Sequence, residues 1–377
     1  MAKCSLFPTC GGCQYRNMEE SDYRREKLDK FAKVMHVIKQ QDVKITDPIF
    51  IPEGTRRRAA MSFSYVKKHF CLGFNCSKSH EIADCHGCPI LTPKLNANIE
   101  NLRQLLSEIC EESFPLKKGK KMLAHVLDKG DVLMCEAENG IDILLEFPYE
   151  LSLTHRMIIA ERANQYPDII RISWRPSPTA QAETILEKTQ PFIMNNGVRV
   201  YIAAGTFLQA SAAGEKALIE TVRKYLGQCT GKIADLFCGI GTFSYALAQD
   251  KNNKVYAADS CTALLKGFQN TINTNQITNI QVEARNLFKY PLDEKELASY
   301  TAVVFDPPRA GAVAQAEKIA KAEKRPSVVI AVSCNPHTFV NDANKLIEGG
   351  YTLKEVTMVD QFVYSSHTEL VALFEKE

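Results

Sequence analysis

From about residue 205 to the end, apolar runs alternate with helical stretches, and four of those runs finish in a chemically reactive side chain. "KIADLF", "KVYAAD", "TAVVFD" and "SVVIAVSC" carry Asp235, Asp259, Asp306 and Cys334 at or near their ends. Regular alternation of this kind predicts an α/β fold with a doubly wound parallel sheet. Ligands bind such a sheet along the carboxyl edge of its strands, so all four groups are expected on one edge.

At 377 residues the chain exceeds one ordinary core, and its texture divides it into three parts. Residues 1–45 hold a Cys/Gly-rich loop and a helix with an acidic start and basic later turns. Residues 46–200 read as a β-rich domain of short runs such as "AAMSFSYV" and "IDILLEF", interrupted by one helix, "LNANIENLRQLLSEICEE". Residues 201–377 form the alternating domain.

No apolar run reaches the ~18 residues of a membrane span, and the start lacks the basic flank and long apolar stretch of a secretory signal. A cytoplasmic monomer away from membranes is expected. In that reducing setting the 13 cysteines point to metal ligation rather than disulfides. A net charge of +2 leaves any polyanion to local patches, of which Arg56-Arg57-Arg58 and the group Lys117, Lys118, Lys120, Lys121 are candidates.

In "ADLFCGIGTFS" a strand with an acid leads into a Gly-x-Gly turn and then a helix. Glycines there let the backbone approach a ligand. The third glycine of a dinucleotide fingerprint is absent, Ser244 standing in its place, and a P-loop Lys-Ser/Thr pair is missing too. Asp259, at the end of the next strand, can take both hydroxyls of a ribose. An adenosine-bearing ligand such as S-adenosylmethionine is therefore favoured over NAD. The competing reading makes Asp235 and Asp259 helix N-caps.

A cysteine at a strand tip beside an acid and a methyl donor suits a nucleophile. Methylation of a pyrimidine at C5 needs that combination. The carbon becomes nucleophilic only after a thiolate adds to C6, and a base must then remove the C5 proton. "HTELVALF" supplies Glu369 for that base, with His367 nearby.

Taken together, "FLQAS", "DLFCGIGTFS", "DPPRAG", "SCNP" and "DQFVYSSHTELVALF" resemble, in order, the RNA uracil-C5 methyltransferases that make 5-methyluridine. The resemblance implies a class I, Rossmann-like S-adenosylmethionine-dependent domain with Cys334 as nucleophile and Glu369 as base. It places Gln209, Phe237, Gly239, Asp259 and Asp306 on S-adenosylmethionine and Phe207 near the target base. RNA is the expected partner, 23S rRNA ahead of tRNA, with Arg56, Arg57 and Arg58 as contacts. Asp259 stands where many members have Glu, and the chain begins at the cysteine loop without the small oligonucleotide-binding barrel that many members carry in front of it.

Cysteines with a Cys-x-x-Cys pair suit either a [4Fe-4S] cluster or structural zinc, and spacing alone does not decide. The resemblance selects the cluster, held by Cys4, Cys10, Cys13 and Cys88, with Cys85, Cys71 and Cys76 as competitors for the fourth place. It also leaves a same-reaction alternative on the T-loop of tRNA. A further alternative is an inactive RNA-binding factor on this scaffold, which ordinarily would have lost Cys334, Asp306 or Glu369.

Overall fold

The computed structural model describes residues 4–112, 114–118, 121–125 and 127–376. Lys120 of the expected lysine patch lies outside the described residues. The chain divides into two compact units whose borders are not those suggested by composition. The first comprises Met1–Arg16, Pro52–Ile193 and Ile202–Ser211; the second comprises Asn17–Ile51, Met194–Tyr201 and Ala212–Glu377.

Among the described residues, the first unit carries a seven-stranded sheet in the order 183–187, 169–175, 140–146, 129–137, 58–66, 69–75, 82–84. Its neighbours pair antiparallel except Gly140–Glu146 with Ile169–Arg175. The expected helix forms at Ile99–Glu111. Its Ile99, Leu102, Leu105, Leu106 and Ile109 recur on one stripe, and all are buried. Each such side chain contributes roughly 1.5–3 kcal/mol of apolar burial. A second helix, Leu153–Asn164, was not anticipated from the sequence. Its N-terminus is capped reciprocally by Ser152 and His155, a pair that lacks the usual Glu or Gln signal.

The second unit builds a nine-stranded sheet among the described residues. Its main elements are α1 (Ala212–Leu226), β1 (Lys232–Leu236), α2 (Ser244–Leu247), β2 (Lys254–Asp259), α3 (Thr262–Thr274), β3 (Ile280–Ala284), α4 (Glu294–Leu297), β4 (Ala302–Phe305), α5 (Val313–Lys321), β5 (Val328–Ser333), α6 (Pro336–Glu348), β6 (Tyr351–Asp360) and β7 (Glu369–Lys376). The order across the sheet is β6-β7-β5-β4-β1-β2-β3, parallel except for β7. Strands β4 and β5 are buried along their whole length, as expected of central strands covered on both faces.

The chain's early segment also belongs here. Lys44–Ile45 and Ile49–Phe50 extend the sheet parallel to β6. The Glu20–His36 helix sends Phe31 into the same apolar core as Leu353, Met358 and Phe374. The helix is therefore part of the second unit, rather than continuing the cysteine loop. Among the described residues no helix is long and apolar enough to cross a membrane.

Candidate active site

Strand order reverses between β1 and β4, the place where an open α/β sheet leaves a crevice. After β1 the chain turns through Phe237 at φ 61°, Gly239 at φ 55° and Gly241 at φ 89°, a left-handed path that glycine takes at little cost. A Cβ on Gly241 would come within 2.5 Å of the Phe268 ring, so this glycine is also needed for close packing. The Gly239 N–H donates to Asp259 Oδ2 at 3.0 Å and the Cys261 N–H to Oδ1 at 2.8 Å. Each oxygen keeps lone-pair capacity for a further donor. Neither acid is a helix N-cap: Phe243 and Cys261 hold those positions. Asp235 is fully buried and accepts a hydrogen bond from Ser244 Oγ. Burial, with Asp306 adding like charge, pushes its carboxyl up to about 7.

The "SCNP" sequence acquires a structural reason beyond its thiol. Pro336 opens α6, and Asn335 caps it through Oδ1, which accepts from the His337 N–H at 3.2 Å. The same side chain donates from Nδ2 to the Arg309 carbonyl at 2.9 Å. Asn335 thereby ties the loop after β4, with Asp306, to the loop after β5, with Cys334.

Strand β7 runs antiparallel to β5, and Ser333 pairs with Leu370. Cys334 follows Ser333 and Glu369 precedes Leu370, so β7 begins at the end of the sheet where β5 finishes. Glu369 is buried and accepts from Gln361 Nε2 at 3.2 Å. Burial and then the Asp306 charge raise its carboxyl to about 8, with Gln361 and Arg309 opposing. Burial raises Asp306 to about 7. The Cys334 thiol is pushed up to about 11, first by burial, then by Glu369 and Asp306, with Arg309 opposing. These mutual effects place the thiol and both carboxyls within electrostatic reach of one another.

The loop carrying Glu369 is anchored by a buried ion pair that the sequence did not reveal. Lys27 Nζ, on the Glu20–His36 helix, donates to Asp360 Oδ1 at 2.8 Å, and both side chains are at most 1% exposed. The ammonium also donates to the His367 carbonyl and, at 3.4 Å, to Thr368 Oγ1. Tyr23 completes the group by donating its hydroxyl to Asp360 and accepting from the Tyr364 N–H.

Several expected site residues lie in the first unit. Phe207 is 63% exposed, with the Arg58 guanidinium 4.4 Å from its ring centroid. Gln209 is buried, and its carbonyl accepts from Arg57 Nε at 3.1 Å. Of the expected RNA contacts Arg56, Arg57 and Arg58, the middle one is buried and the outer two are partly so. Arg57 is 5% exposed, Arg58 donates to the Leu208 carbonyl at 2.7 Å, and Arg56 donates to the Arg58 carbonyl at 3.0 Å. Each of the three therefore gives at least one donor to a backbone carbonyl of its own unit.

Arg56 has a different neighbourhood. It lines a cavity of about 140 Å³ together with Cys4, Cys10, Cys13, Cys85 and Cys88. The loop bearing the first three is pinned by backbone bonds from Gly11 to Asn75 and from Ser77 to Thr9. Cys88 is fixed by Asn96, which accepts from its N–H at 2.8 Å and donates to its carbonyl at 3.0 Å. Cys71 and Cys76 are not among the residues lining the cavity. Five thiols and a guanidinium around one small cavity fit an anionic group bound by some of them as thiolates. Among the described residues no group of three or more His, Cys, Asp or Glu side chains is placed so that it could hold a metal ion.

The model of the tRNA (uracil-5-)-methyltransferase family matches residues 190–377. An uncharacterized RNA methyltransferase of Brucella melitensis is 35% identical over 376 residues, 99% of this chain and 84% of that relative. The chain belongs to this uracil-5 RNA methyltransferase family. A 23S rRNA (uracil(1939)-C(5))-methyltransferase of Aliivibrio salmonicida is 28% identical to the present family member, over 99% of this chain and 82% of its own. Among solved structures, a Pyrococcus abyssi tRNA (uracil-54, C5)-methyltransferase in complex with S-adenosyl-L-homocysteine superposes with a TM-score of 0.73. It shares 21% identity, covering 97% of this chain and 86% of that one, which supports the Rossmann-like fold. Family membership makes this protein an S-adenosylmethionine-dependent RNA methyltransferase. Within such an enzyme Gln361, Arg309 and Phe288 acquire interest that their sequence context did not announce. Phe288 is 50% exposed and packs 5.3 Å, centroid to centroid, from Phe237.

Proposed function

We propose that this enzyme methylates C5 of one specific uridine in 23S rRNA, through a covalent bond between Cys334 and C6 of the ring. The observation that supports the reading is that Cys334 and Glu369 are the chain neighbours of the terminal pair of β5 and β7, Ser333 with Leu370, and that the Glu369 charge acts on the thiol. Cys334 as thiolate adds to C6, and the electron pair delivered to the ring makes C5 nucleophilic. C5 takes the methyl group of S-adenosylmethionine. Glu369, as carboxylate, then removes the C5 proton, and the ring expels the Cys334 thiolate. A carboxyl raised to about 8 is a stronger base than an ordinary glutamate, which suits the removal of a carbon-bound proton. Asp259 would hold the ribose hydroxyls, Phe237 and Gly239 would line the donor's crevice, and Asp306 would sit beside the sulfonium charge.

The 23S rRNA target rests on the likeness to the Aliivibrio salmonicida enzyme, which spans 99% of this chain. A second reading, the T-loop uridine of tRNA, is favoured by the description of the family model. Mapping 5-methyluridine in rRNA and tRNA from cells with and without the gene separates the two. Loss from tRNA alone would overturn the rRNA assignment. Cys334→Ala should abolish methyl transfer and retain donor binding; turnover by that variant would overturn the adduct.

We assign the cysteine cavity of the first unit to a [4Fe-4S] cluster held by Cys4, Cys10, Cys13 and Cys88, with Arg56 offsetting its negative charge. The thiols and the guanidinium around one cavity support this. The cluster would bind the amino-terminal loop to the 85–91 segment by metal–thiolate bonds, a structural role. Anaerobically purified protein should contain iron and sulfide in equal amounts; stoichiometric zinc in a colourless protein would overturn the assignment.

A further inference from the structure

Cys334 does not lie at the bottom of a closed hole. It stands at one side of a cavity of about 660 Å³ within the second unit, in the size range of small-molecule pockets, ~300–1,000 Å³. One wall is the Glu20–His36 helix, which contributes Lys30, Lys33 and Val34, with Val37 at its C-cap. These positions fall three, four and seven residues after the first, one face of a helix. The opposite wall brings Arg309, His337 and His367. Among the described residues lining this space there are three permanent cations and two imidazoles, and no carboxylate.

Exposed lysines on a helix usually need no explanation beyond solvation. Here their placement differs from that default. Lys30 lies one turn beyond Lys27, whose buried ion pair with Asp360 fixes the helix against the catalytic loop. The two exposed lysines are therefore carried on a rigid element at a set height above the nucleophile. Lys30 pairs with the partly exposed Glu26 at 3.1 Å on its own helix, a kind of pair that contributes little. Val34 and Val340 give the same space an apolar side.

We propose that this groove is the track of the RNA strand on either side of the target uridine, with Lys30 and Lys33 holding backbone phosphates while the extruded base points to Cys334. The proposal rests on the methyl-transfer reading above and supplies a basic surface next to the reacting atom. Charge complementarity selects the occupant: a single RNA strand is a polyanion with planar apolar bases, and the groove is cationic with an apolar side. Arg309 is shared between this surface and the catalytic group, because it faces both the groove and the field of Glu369.

The test compares the full-length enzyme with Lys30→Ala/Lys33→Ala and with Lys30→Glu/Lys33→Glu. Methyl incorporation is measured into RNA isolated from cells lacking the gene, across RNA concentration and salt. Loss of two phosphate contacts should raise KM for RNA about tenfold in the neutral pair and further in the reversed pair, with kcat held within about twofold. The slope of log KM against log salt should fall by roughly 1.4, about 0.7 per single-strand phosphate. Donor binding, measured separately, should be unchanged. An unaltered KM and salt slope would overturn the groove as the RNA track. So would a loss confined to kcat. Failure of the unmodified enzyme to form 5-methyluridine would instead remove the reading beneath it.

Discussion

Replacing Lys27 by Met should expose how much the catalytic unit depends on its first helix. The lysine and Asp360 are at most 1% exposed and 2.8 Å apart, so removing the ammonium strands a carboxylate in the interior with Tyr23 as its remaining charge-stabilising donor. Breaking one partner of a buried pair costs about 3–5 kcal/mol, mostly the penalty of the uncompensated charge. For a unit of this size each kcal/mol moves the melting temperature by roughly 2–4 °C, so a drop of about 6–20 °C is expected. Lys27→Met/Asp360→Asn should recover much of it, since the charge is gone while the amide oxygen can still accept from Tyr23. Differential scanning calorimetry of wild type, both single variants and the double variant gives the coupling directly. The Lys27 ammonium also holds the His367 carbonyl two residues before Glu369, so kcat should fall in the single variant beyond any loss of folded protein. A single variant melting within 2 °C of wild type, or a double variant no better than Lys27→Met, would refute the reasoning.

Glu369→Gln should let addition and methylation proceed and slow release by roughly 10²–10⁴, leaving an enzyme–RNA adduct that survives denaturing electrophoresis; absence of the adduct with normal turnover counts against Glu369 as the base. Asp235, Asp306 and Glu369 hold protons when folded at pH values where the unfolded chain has released them, with folded values near 7, 7 and 8. Their joint contribution to stability is therefore present near pH 4 and is lost as pH rises toward 8, because the unfolded state binds fewer protons across that window. His155, lowered by burial, acts in the opposite direction as a single group. Ligand-free protein should melt progressively lower between pH 5 and 8, and Asp306→Asn should flatten the trend; a rising melting temperature contradicts it. Gly241→Ala should cost about 1–3 kcal/mol and weaken donor binding, through the Phe268 clash and the φ of 89°; unchanged affinity by calorimetry would contradict the packing role.

The reactive edge was legible in the sequence because each of its groups terminates a recognisable strand. Asp259, Asp306 and Cys334 follow buried apolar runs, and strand tips in this architecture converge whatever the loops do. The Lys27–Asp360 pair was not legible. A lysine in the charged stretch "RREKLDK" reads as solvated, and its partner lies 333 residues away. Arg57 misled for the related reason that three consecutive arginines suggest a surface, whereas this one is buried and donates to the Gln209 carbonyl. The helix at Leu153–Asn164 escaped because its cap uses His155 and its buried stripe is thin, only His155, Ile159 and Ala163.

The path of the backbone has a consequence for how such an enzyme is made. It passes from one unit to the other between residues 16 and 17, 51 and 52, 193 and 194, 201 and 202, and 211 and 212. Tyr23 and Lys27 emerge from the ribosome early, but Asp360 and the strands that cover Phe31 are synthesised last. Through most of synthesis the helix at 20–36 must wait with its apolar face and its lysine unmatched, a long-range closure that is slow and leaves the nascent chain open to aggregation. A fragment cut at residue 201 would inherit Asp360 without its cation. Expression of the catalytic part alone is thus expected to yield insoluble protein, while a fragment pair that restores residues 17–51 should assemble.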